Sequence, residues 1–285
     1  MAIAQNRYTF GDNHEASARL RRLAELYAPE TRDLLLRGGA RRPRLAIDLG
    51  CGPGWTTRLL HDALQPVRTI GLDASARYVE EARRNAVQRS LSAGQYSGQH
   101  GSPALEFYVH DVTRTPFPVG APDTLLCRFL LTHLRQPGEV LAQWATASAP
   151  DSLLFIHETE SMDAEHPALR RYYELVAQLQ RHYGQTLEIG PLLEECVAKS
   201  GWHVVESVSL ELRKPANAMA QLHVANLRSW RQDVYAQRAF DSAEIDALEK
   251  SLTDIADGAT DDRSPTGSVV VNAARQIIAR RDASK

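Results

Sequence analysis

The chain has few cysteines, little net charge and no long apolar run. Its 285 residues include three cysteines, Cys51, Cys127 and Cys196, which lie far apart and show no CxxC spacing. This pattern predicts neither a disulfide framework nor a metal site, and it is typical of a reducing cytoplasm. No apolar segment reaches the ~18 residues of a membrane-spanning helix, and the N-terminus lacks the apolar segment of a signal peptide. We therefore expect a cytoplasmic protein without membrane contact.

The composition also limits the partners. The formal net charge is −2, so no overall field attracts nucleic acid or an anionic membrane, and the local arginine clusters read as solvated surfaces. Hydrophobic residues make up 43% of the chain, enough for a large core in one domain or in a domain with a cap.

Two common nucleotide-binding patterns are missing from the glycine-rich segment. Residues 45–54, LAIDLGCGPG, read as a buried strand followed by a turn with Gly50, Gly52 and Gly54. Such a turn lets the backbone approach a ligand, and the helix that follows offers unpaired N–H groups. The dinucleotide pattern needs a third glycine where this chain has Trp55, and a phosphate loop needs a Gly-Lys-Ser/Thr triplet. The segment predicts a site for a different nucleotide-like ligand.

Strand and helix patterns alternate along the first part of the chain. Strands are predicted over 44–49, 67–72, 105–110, 123–130 and 152–157, with helices at about 55–65, 75–90 and 136–148. This alternation predicts a doubly wound, mostly parallel α/β sheet. Two helices within 15–37 precede the sheet, and the polar segment 90–103 reads as a surface insertion. Beyond Glu158 we expect helices over 166–183, 189–200 and 215–258 and strands over 203–212 and 268–280.

Four elements together resemble the class I S-adenosylmethionine-dependent methyltransferases. They are DLGCGPG at 48–54, Asp73 ending the second strand, Asp111 ending the third, and strand 123–130 with the following RFLLTHLRQP. The resemblance covers about residues 40–160, and part of the last element resembles the small-molecule branch that methylates quinones and secondary metabolites. It implies a seven-stranded Rossmann-like sheet, S-adenosylmethionine as cofactor and S-adenosylhomocysteine as product.

The resemblance also implies a division of the chain. Residues 1–38 would form an N-terminal helical lid and 39–160 the cofactor-binding core. Residues 161–285 would complete the sheet and add helical substrate-cap insertions at about 160–200 and 214–262. The N-terminal helix has an alternative interpretation, as a surface helix or a homodimer interface.

Individual residues take cofactor-binding roles through the same resemblance. Asp73 corresponds to the carboxylate that binds both ribose hydroxyls, which suits a group accepting two donors. Asp111 corresponds to the residue that accepts the adenine amino group, beside the Val112 N–H. Tyr8 and Arg19 of the lid would reach the methionine carboxylate, for which the planar arginine fork is suited. The other implied cofactor residues are Asp48, Gly50, Cys51, Gly52 and Gly54 of the loop, Ala74, and Arg128 and Phe129 after strand four. Asp48 is expected to organise the loop.

No residue stands out as a general base. Methyl transfer from a sulfonium needs alignment and exclusion of water, and a base only if the acceptor must lose a proton. His133, His157 and Glu158 are the catalytic candidates because they lie just past strands four and five, at the carboxyl edge where ligands gather. His223 in the cap carries less positional information.

The leading interpretation is a methyltransferase acting on an O, N or C atom of a small aromatic or secondary-metabolite acceptor. Two alternatives stay open. One is a methyltransferase for RNA or protein, which the near-neutral charge disfavours for RNA. The other is a cofactor-binding cyclase or regulator that transfers no methyl group.

Overall fold

A seven-stranded sheet forms the centre of the computed structural model, which describes residues 14–39, 42–92, 105–258 and 269–282. Its strands are β1 (Leu45–Leu49), β2 (Arg68–Asp73), β3 (Leu105–Val109), β4 (Thr124–Arg128), β5 (Leu153–Ala164), β6 (Trp202–Pro215) and β7 (Val269–Arg281). Their order across the sheet is β3-β2-β1-β4-β5-β7-β6. Strands β1 to β5 pair in parallel, and β7 runs antiparallel to both β5 and β6. The predicted mostly parallel, doubly wound sheet is confirmed.

Helices connect the parallel strands and cover the sheet. Within the described residues they are α1 (His14–Leu26), α2 (Ala28–Arg37), α3 (Trp55–Leu64), α4 (Ala76–Ser92), α5 (Pro137–Ala147), α6 (Pro167–His182), α7 (Gly190–Ala198), α8 (Ala216–Trp230), α9 (Val234–Ala239) and α10 (Ser242–Ala256). A short 3-10 helix, Leu131–His133, follows β4. Local sequence determines where two of these helices begin. Before α4, Ser75 Oγ accepts the Tyr78 N–H at 3.2 Å. In α5, a proline occupies the first turn.

Strand β5 is longer than the sequence predicts. The expected strand covers 152–157, whereas β5 continues to Ala164 because β7 pairs with it along this whole length, with a register shift between Thr159 and Ser161. The polar sequence after Glu158 gives no local strand signal. The extension forms because these residues pair with β7, more than a hundred residues later in the chain. The predicted helical segment 215–258 is also divided, into α8, α9 and α10.

The two largest apolar cores among the described residues occupy different parts of the molecule. The sheet core includes Ile47 and Trp144, and a second core lies among α6, α8 and α10, where Leu169 and Leu227 are fully buried. Helix α7 contributes Leu193 and Val197 to the sheet core. It therefore belongs to the sheet layer, in contrast to the expectation that 160–200 as a whole covers the substrate. We use "cover" below for α1, α6, α8, α9 and α10.

Part of the sequence interpretation falls outside the described residues. Tyr8 and residues 93–103, which are most of the predicted surface insertion, belong to this group. Among the described helices, none combines the length and the apolar character needed to cross a membrane.

Candidate functional site

The glycine turn after β1 is held by the end of β2. The N–H groups of Gly50 and Cys51 donate to the Leu72 carbonyl at 2.8 and 3.0 Å. Gly52 has φ of +51° and donates its N–H to Asp73 Oδ2 at 2.8 Å. The left-handed conformation favours glycine, and it turns this N–H towards the carboxylate. The turn and Asp73 therefore form one hydrogen-bonded unit.

Gly54 ends the turn and starts α3. It has φ of +86°, and a Cβ atom built there would lie 2.9 Å from the Phe107 ring. Both the conformation and the close approach therefore require glycine. This geometry presents the first turn of α3, with Trp55 and Thr56, to a cavity.

Asp48, in β1, stabilises the first turn of α3. Its Oδ2 accepts the hydroxyls of Thr56 and Thr57 at 2.6 and 2.7 Å. Burial raises the pKa of Asp48 to about 6, although the two threonine hydrogen bonds favour its charged form. Asp48 does not line the cavity. Its contacts are those of a residue that organises the loop.

The cavity has a volume of about 630 Å³ and lies between the carboxyl edge of the sheet and the cover. This volume is in the range of small-ligand sites, roughly 300–1,000 Å³. It brings together eleven of the predicted site residues: Arg19, Gly50, Cys51, Gly52, Asp73, Ala74, Asp111, Val112, Arg128, Phe129 and His133. Asp48, Gly54, His157 and Glu158 do not line it.

Two carboxylates mark the ends of β2 and β3 at the cavity. Asp73 Oδ1 accepts the Ser75 N–H at 2.8 Å. Asp111 Oδ1 accepts the N–H and the hydroxyl of Thr113 at 3.0 and 2.7 Å. Between the sheet and α5, the Val112 carbonyl accepts the indole N–H of Trp144 at 2.8 Å, which fixes the backbone beside Asp111.

The end of β4 supplies a strained residue and a buried cation. Phe129 has φ of +50°, a rare conformation for an aromatic residue, and is held there by its N–H donating to the His157 carbonyl at 3.0 Å. The Arg128 guanidinium lies over the Phe129 ring at 5.6 Å. Burial lowers the pKa of Arg128 to about 10, so the side chain stays charged near neutral pH.

His133 reaches the cavity from the 3-10 helix. Its Nδ1 lies 3.3 Å from Gln180 Nε2 on α6. Burial, and then the charge of Arg19, lower the pKa of His133 to about 3. The imidazole is therefore neutral near pH 7, and its lowered pKa makes it a weaker base than an ordinary histidine.

The positions of His157 and Glu158 correct the expectation that one of them points into the pocket. Glu158 is fully buried, and its Oε1 accepts the N–H groups of Leu130 and Leu131 at 2.7 and 2.8 Å. It thus caps the 3-10 helix from behind the cavity wall. Burial raises its pKa to about 7.

His157 is enclosed in the same layer. Its Nδ1 is 3.1 Å from the Thr31 hydroxyl, and the rings of Tyr27 and Phe129 lie 6.0 and 5.2 Å away. Burial, reinforced by Arg128, lowers its pKa to about 3. This side chain packs beside the Phe129 ring and does not line the cavity.

The cover contributes hydrogen-bonded polar pairs that the sequence does not predict as pairs. Arg19 is buried on α1 and donates through Nη1 to Asn226 Oδ1 on α8 at 2.6 Å. The Tyr173 hydroxyl on α6 lies 2.8 Å from His223 Nε2 on α8. Asn226 and Gln180 are polar residues on otherwise apolar helix faces, and that break in the apolar pattern is the only local signal for them.

The described residues hold no group of three or more His, Cys, Asp or Glu side chains placed to bind a metal ion.

One family model matches the part of the chain that forms β1 to β5. Residues 47–156 match the model described as "Methyltransferase domain". This range begins in β1, includes the glycine turn, Asp73 and Asp111, and ends in β5.

Two curated relatives match a similar stretch. Trans-aconitate 2-methyltransferases of Methylobacterium radiotolerans and Mycobacterium sp. (strain KMS) are 31% and 32% identical over 130 and 140 residues. The aligned parts cover 46% and 49% of this chain and 44% and 48% of those enzymes. The chain thus spans about half the length of the curated relatives it matches.

Among solved structures, the [4+2]-cyclase SpnF is similar over most of the chain. Its TM-score is 0.55 at 18% sequence identity, covering 89% of this chain and 81% of the cyclase. At this identity the likeness shows the fold alone.

Proposed function

We propose that this protein is an S-adenosylmethionine-dependent methyltransferase of class I, which binds that cofactor and methylates a small molecule. The match of residues 47–156 to the methyltransferase-domain model supports this proposal. The observation that carries the proposal is the meeting of the glycine turn, Asp73 and Asp111 on one wall of one cavity. The division into an N-terminal lid (1–38), a cofactor core (39–160) and a capped remainder (161–285) is part of this proposal.

The residues on this wall fit the cofactor. A carboxylate offers about four acceptor positions, so Asp73 can bind ribose hydroxyls while it accepts the Gly52 and Ser75 N–H groups. A Cβ atom on Gly52 would lie 3.3 Å from Leu20 of α1, so glycine allows the cover to pack closely over the turn. Asp111 and the Val112 N–H would take the adenine edge.

The methionine end falls to the opposite side of the turn. Arg19 and Tyr8 are proposed for its carboxylate, and the backbone after β4, at Arg128 and Phe129, for its amino group. Gly50 and Cys51 would line the path between the two ends. Asp48 acts indirectly, through Thr56 and Thr57.

Methyl transfer from a sulfonium requires a general base only when the acceptor must lose a proton. The cofactor, when bound, would supply a methyl group attached to a positively charged sulfur. The acceptor atom would bond to the methyl carbon in line with the carbon–sulfur bond, which breaks. The chain's own residues hold the reactants and exclude water, as the buried cover predicts. His133, at the cavity and neutral, is the proposed proton acceptor if the acceptor must be deprotonated.

The acceptor is proposed to be a small aromatic or secondary-metabolite molecule. The apolar cover favours such a ligand over RNA or protein. The second candidate, a cofactor-binding protein without methyl transfer, is favoured only by the fold shared with a cyclase. Incubation with labelled S-adenosylmethionine and a metabolite extract separates the two, since only a methyltransferase labels a product.

A titration with S-adenosylmethionine and with NAD tests cofactor choice. We expect Asp73→Ala to weaken S-adenosylhomocysteine binding by about 1.5–3 kcal/mol, because hydrogen bonds to a charged group are lost. Calorimetry measures this, with Asp62→Ala, at an exposed position on α3, as the matched control. Binding of NAD but not of S-adenosylmethionine would refute the proposal, and unchanged affinity in Asp73→Ala would remove the ribose role from Asp73.

A further inference from the structure

The cover half of the cavity is largely apolar and carries three hydrogen-bonded pairs, with Ser229, Asp233 and Asn272 as further polar lining residues. Its apolar lining includes Leu23, Met162, Val176, Leu187, Met219 and Leu222. The pairs are Arg19–Asn226, Gln180–His133 and Tyr173–His223. A ligand in this half therefore meets mostly hydrocarbon surface and a few fixed polar groups, the usual form of a small-molecule site.

The charges at the cavity argue against a polyanionic acceptor. In the parts of the chain that the structure describes, the cationic side chains lining the cavity are Arg19 and Arg128. The proposed function, on which this inference rests, assigns Arg19 to the cofactor carboxylate, and Arg128 lies at the end of β4 with Asp48 as its strongest charged neighbour. Asp233, also at the cavity, would repel an anion. Several carboxylates buried here would lack cationic partners, which is costly.

The Tyr173–His223 pair is fixed on both sides. The Tyr172 ring stacks on the His223 imidazole with centroids 4.2 Å apart and planes at 23°, and the Tyr173 ring stands edge-on to it at 5.0 Å. Tyr173 and His223 are 7% and 6% exposed, yet both line the cavity. The hydroxyl is therefore held in one place before any ligand binds.

The protonation of this pair makes the tyrosine a donor. Burial, and then Arg19, lower the pKa of His223 to about 3, so the imidazole is neutral. His223 Nδ1 is buried with no hydrogen-bond partner. A buried lone pair without a partner costs less than a buried N–H without one, so we assign the proton to Nε2, which donates to Tyr173 Oη. The Tyr173 O–H is then available to a ligand.

We infer that the acceptor is an uncharged, largely apolar molecule with a hydroxyl or carbonyl oxygen that accepts the Tyr173 O–H. Tyr173 is the binding residue, and His223 is a positioning residue that acts through it. The oxygen of such a ligand matches the Tyr173 hydroxyl, which His223 holds in place, and its apolar body matches the surrounding hydrocarbon. The inferred class excludes a tricarboxylate such as trans-aconitate.

The test uses three probes on protein saturated with S-adenosylhomocysteine. Calorimetry compares 2-naphthol, naphthalene and trans-aconitate. We expect wild-type protein to bind 2-naphthol about 5-fold more tightly than naphthalene, the order of one neutral hydrogen bond. Trans-aconitate should bind more weakly than 2-naphthol. In Tyr173→Phe the ratio of the two naphthalene affinities should fall to about 1.

Further variants separate positioning from packing. His223→Leu should lower the 2-naphthol preference, and His223→Gln, which keeps an N–H donor, should restore most of it. Tyr108→Phe is the matched control, because it removes a tyrosine hydroxyl that binds Glu106 outside the cavity. It should keep the full preference.

An unchanged preference in Tyr173→Phe, tighter binding of trans-aconitate than of 2-naphthol, or no binding of 2-naphthol would overturn the inference. Binding of S-adenosylhomocysteine is measured in the same samples. If the wild-type protein fails to bind it, the proposed function itself is refuted, and this outcome is distinct from the other three.

Discussion

The two walls of the cavity are built in different ways. The sheet wall consists largely of backbone: the glycine turn, its N–H groups and the strand ends that place Asp73 and Asp111. The cover wall consists of side chains from helices that are distant in sequence, such as Tyr173 on α6 and His223 on α8. A backbone site depends on a few positions close together in the chain, whereas a side-chain site depends on how helices pack.

The first prediction concerns the separate core of the cover. Leu227→Ala should lower the free energy of unfolding by about 2–5 kcal/mol, because this fully buried residue lies in the second core and leaves a cavity behind. Urea unfolding measures the loss. Arg228→Gln on the same helix is the control, and loss of its partly exposed ion pairs with Glu249 and Glu15 should cost less than about 1 kcal/mol. Equal costs would show that ion pairs, and not apolar packing, hold the cover.

The second prediction concerns the backbone wall. Gly54→Ala should lower the free energy of unfolding by about 2–3 kcal/mol, since φ is +86° and the new Cβ would lie 2.9 Å from Phe107. Gly120→Ala is a matched control with φ of +96° and no atom within 4 Å of its Cβ, so it carries only the conformational cost of about 1 kcal/mol. Thermal unfolding compares the two, and equal losses would mean that close packing at Gly54 contributes nothing.

The third prediction concerns the junction of the two walls. The pKa of Glu158 in the folded protein is about 7, above the ordinary 4.5, so the folded state holds this proton more tightly than the unfolded chain. The resulting stabilisation is complete below the unfolded pKa and is lost as the pH rises through 7. Glu158→Gln keeps an oxygen for the Leu130 and Leu131 N–H groups without this charge.

The stability of Glu158→Gln relative to wild type should therefore increase by about 2 kcal/mol between roughly pH 5 and pH 8. Urea unfolding at several pH values gives this difference. Glu139→Gln, at an exposed position on α5, is the control for the substitution itself. A stability difference that is constant with pH would contradict the raised pKa of Glu158.

Short-range patterns in the sequence predict the sheet wall because its residues belong to strand ends and to a turn, whose positions follow from local sequence. Gly52 and Asp73 were predicted at one site, since consecutive parallel strands end at the same edge, and they share a hydrogen bond there. The same reasoning also placed Glu158 and His157 at this edge, at the end of β5. It gave no indication that Glu158 turns to the backbone of the 3-10 helix.

The sequence by itself determined the alternation of strands and helices, the glycine turn and the carboxylates at the ends of β2 and β3, because each depends on local conformation and on strand ends. The tertiary structure decided which side chains meet across the cover. Asn226 contacts Arg19 across more than two hundred residues, and His223 meets Tyr173 across fifty. Those contacts depend on the packing of α1, α6 and α8 against one another, which no local pattern specifies. For the same reason the shape and polarity of the cavity beneath the cover depend on the folded helices rather than on any single motif.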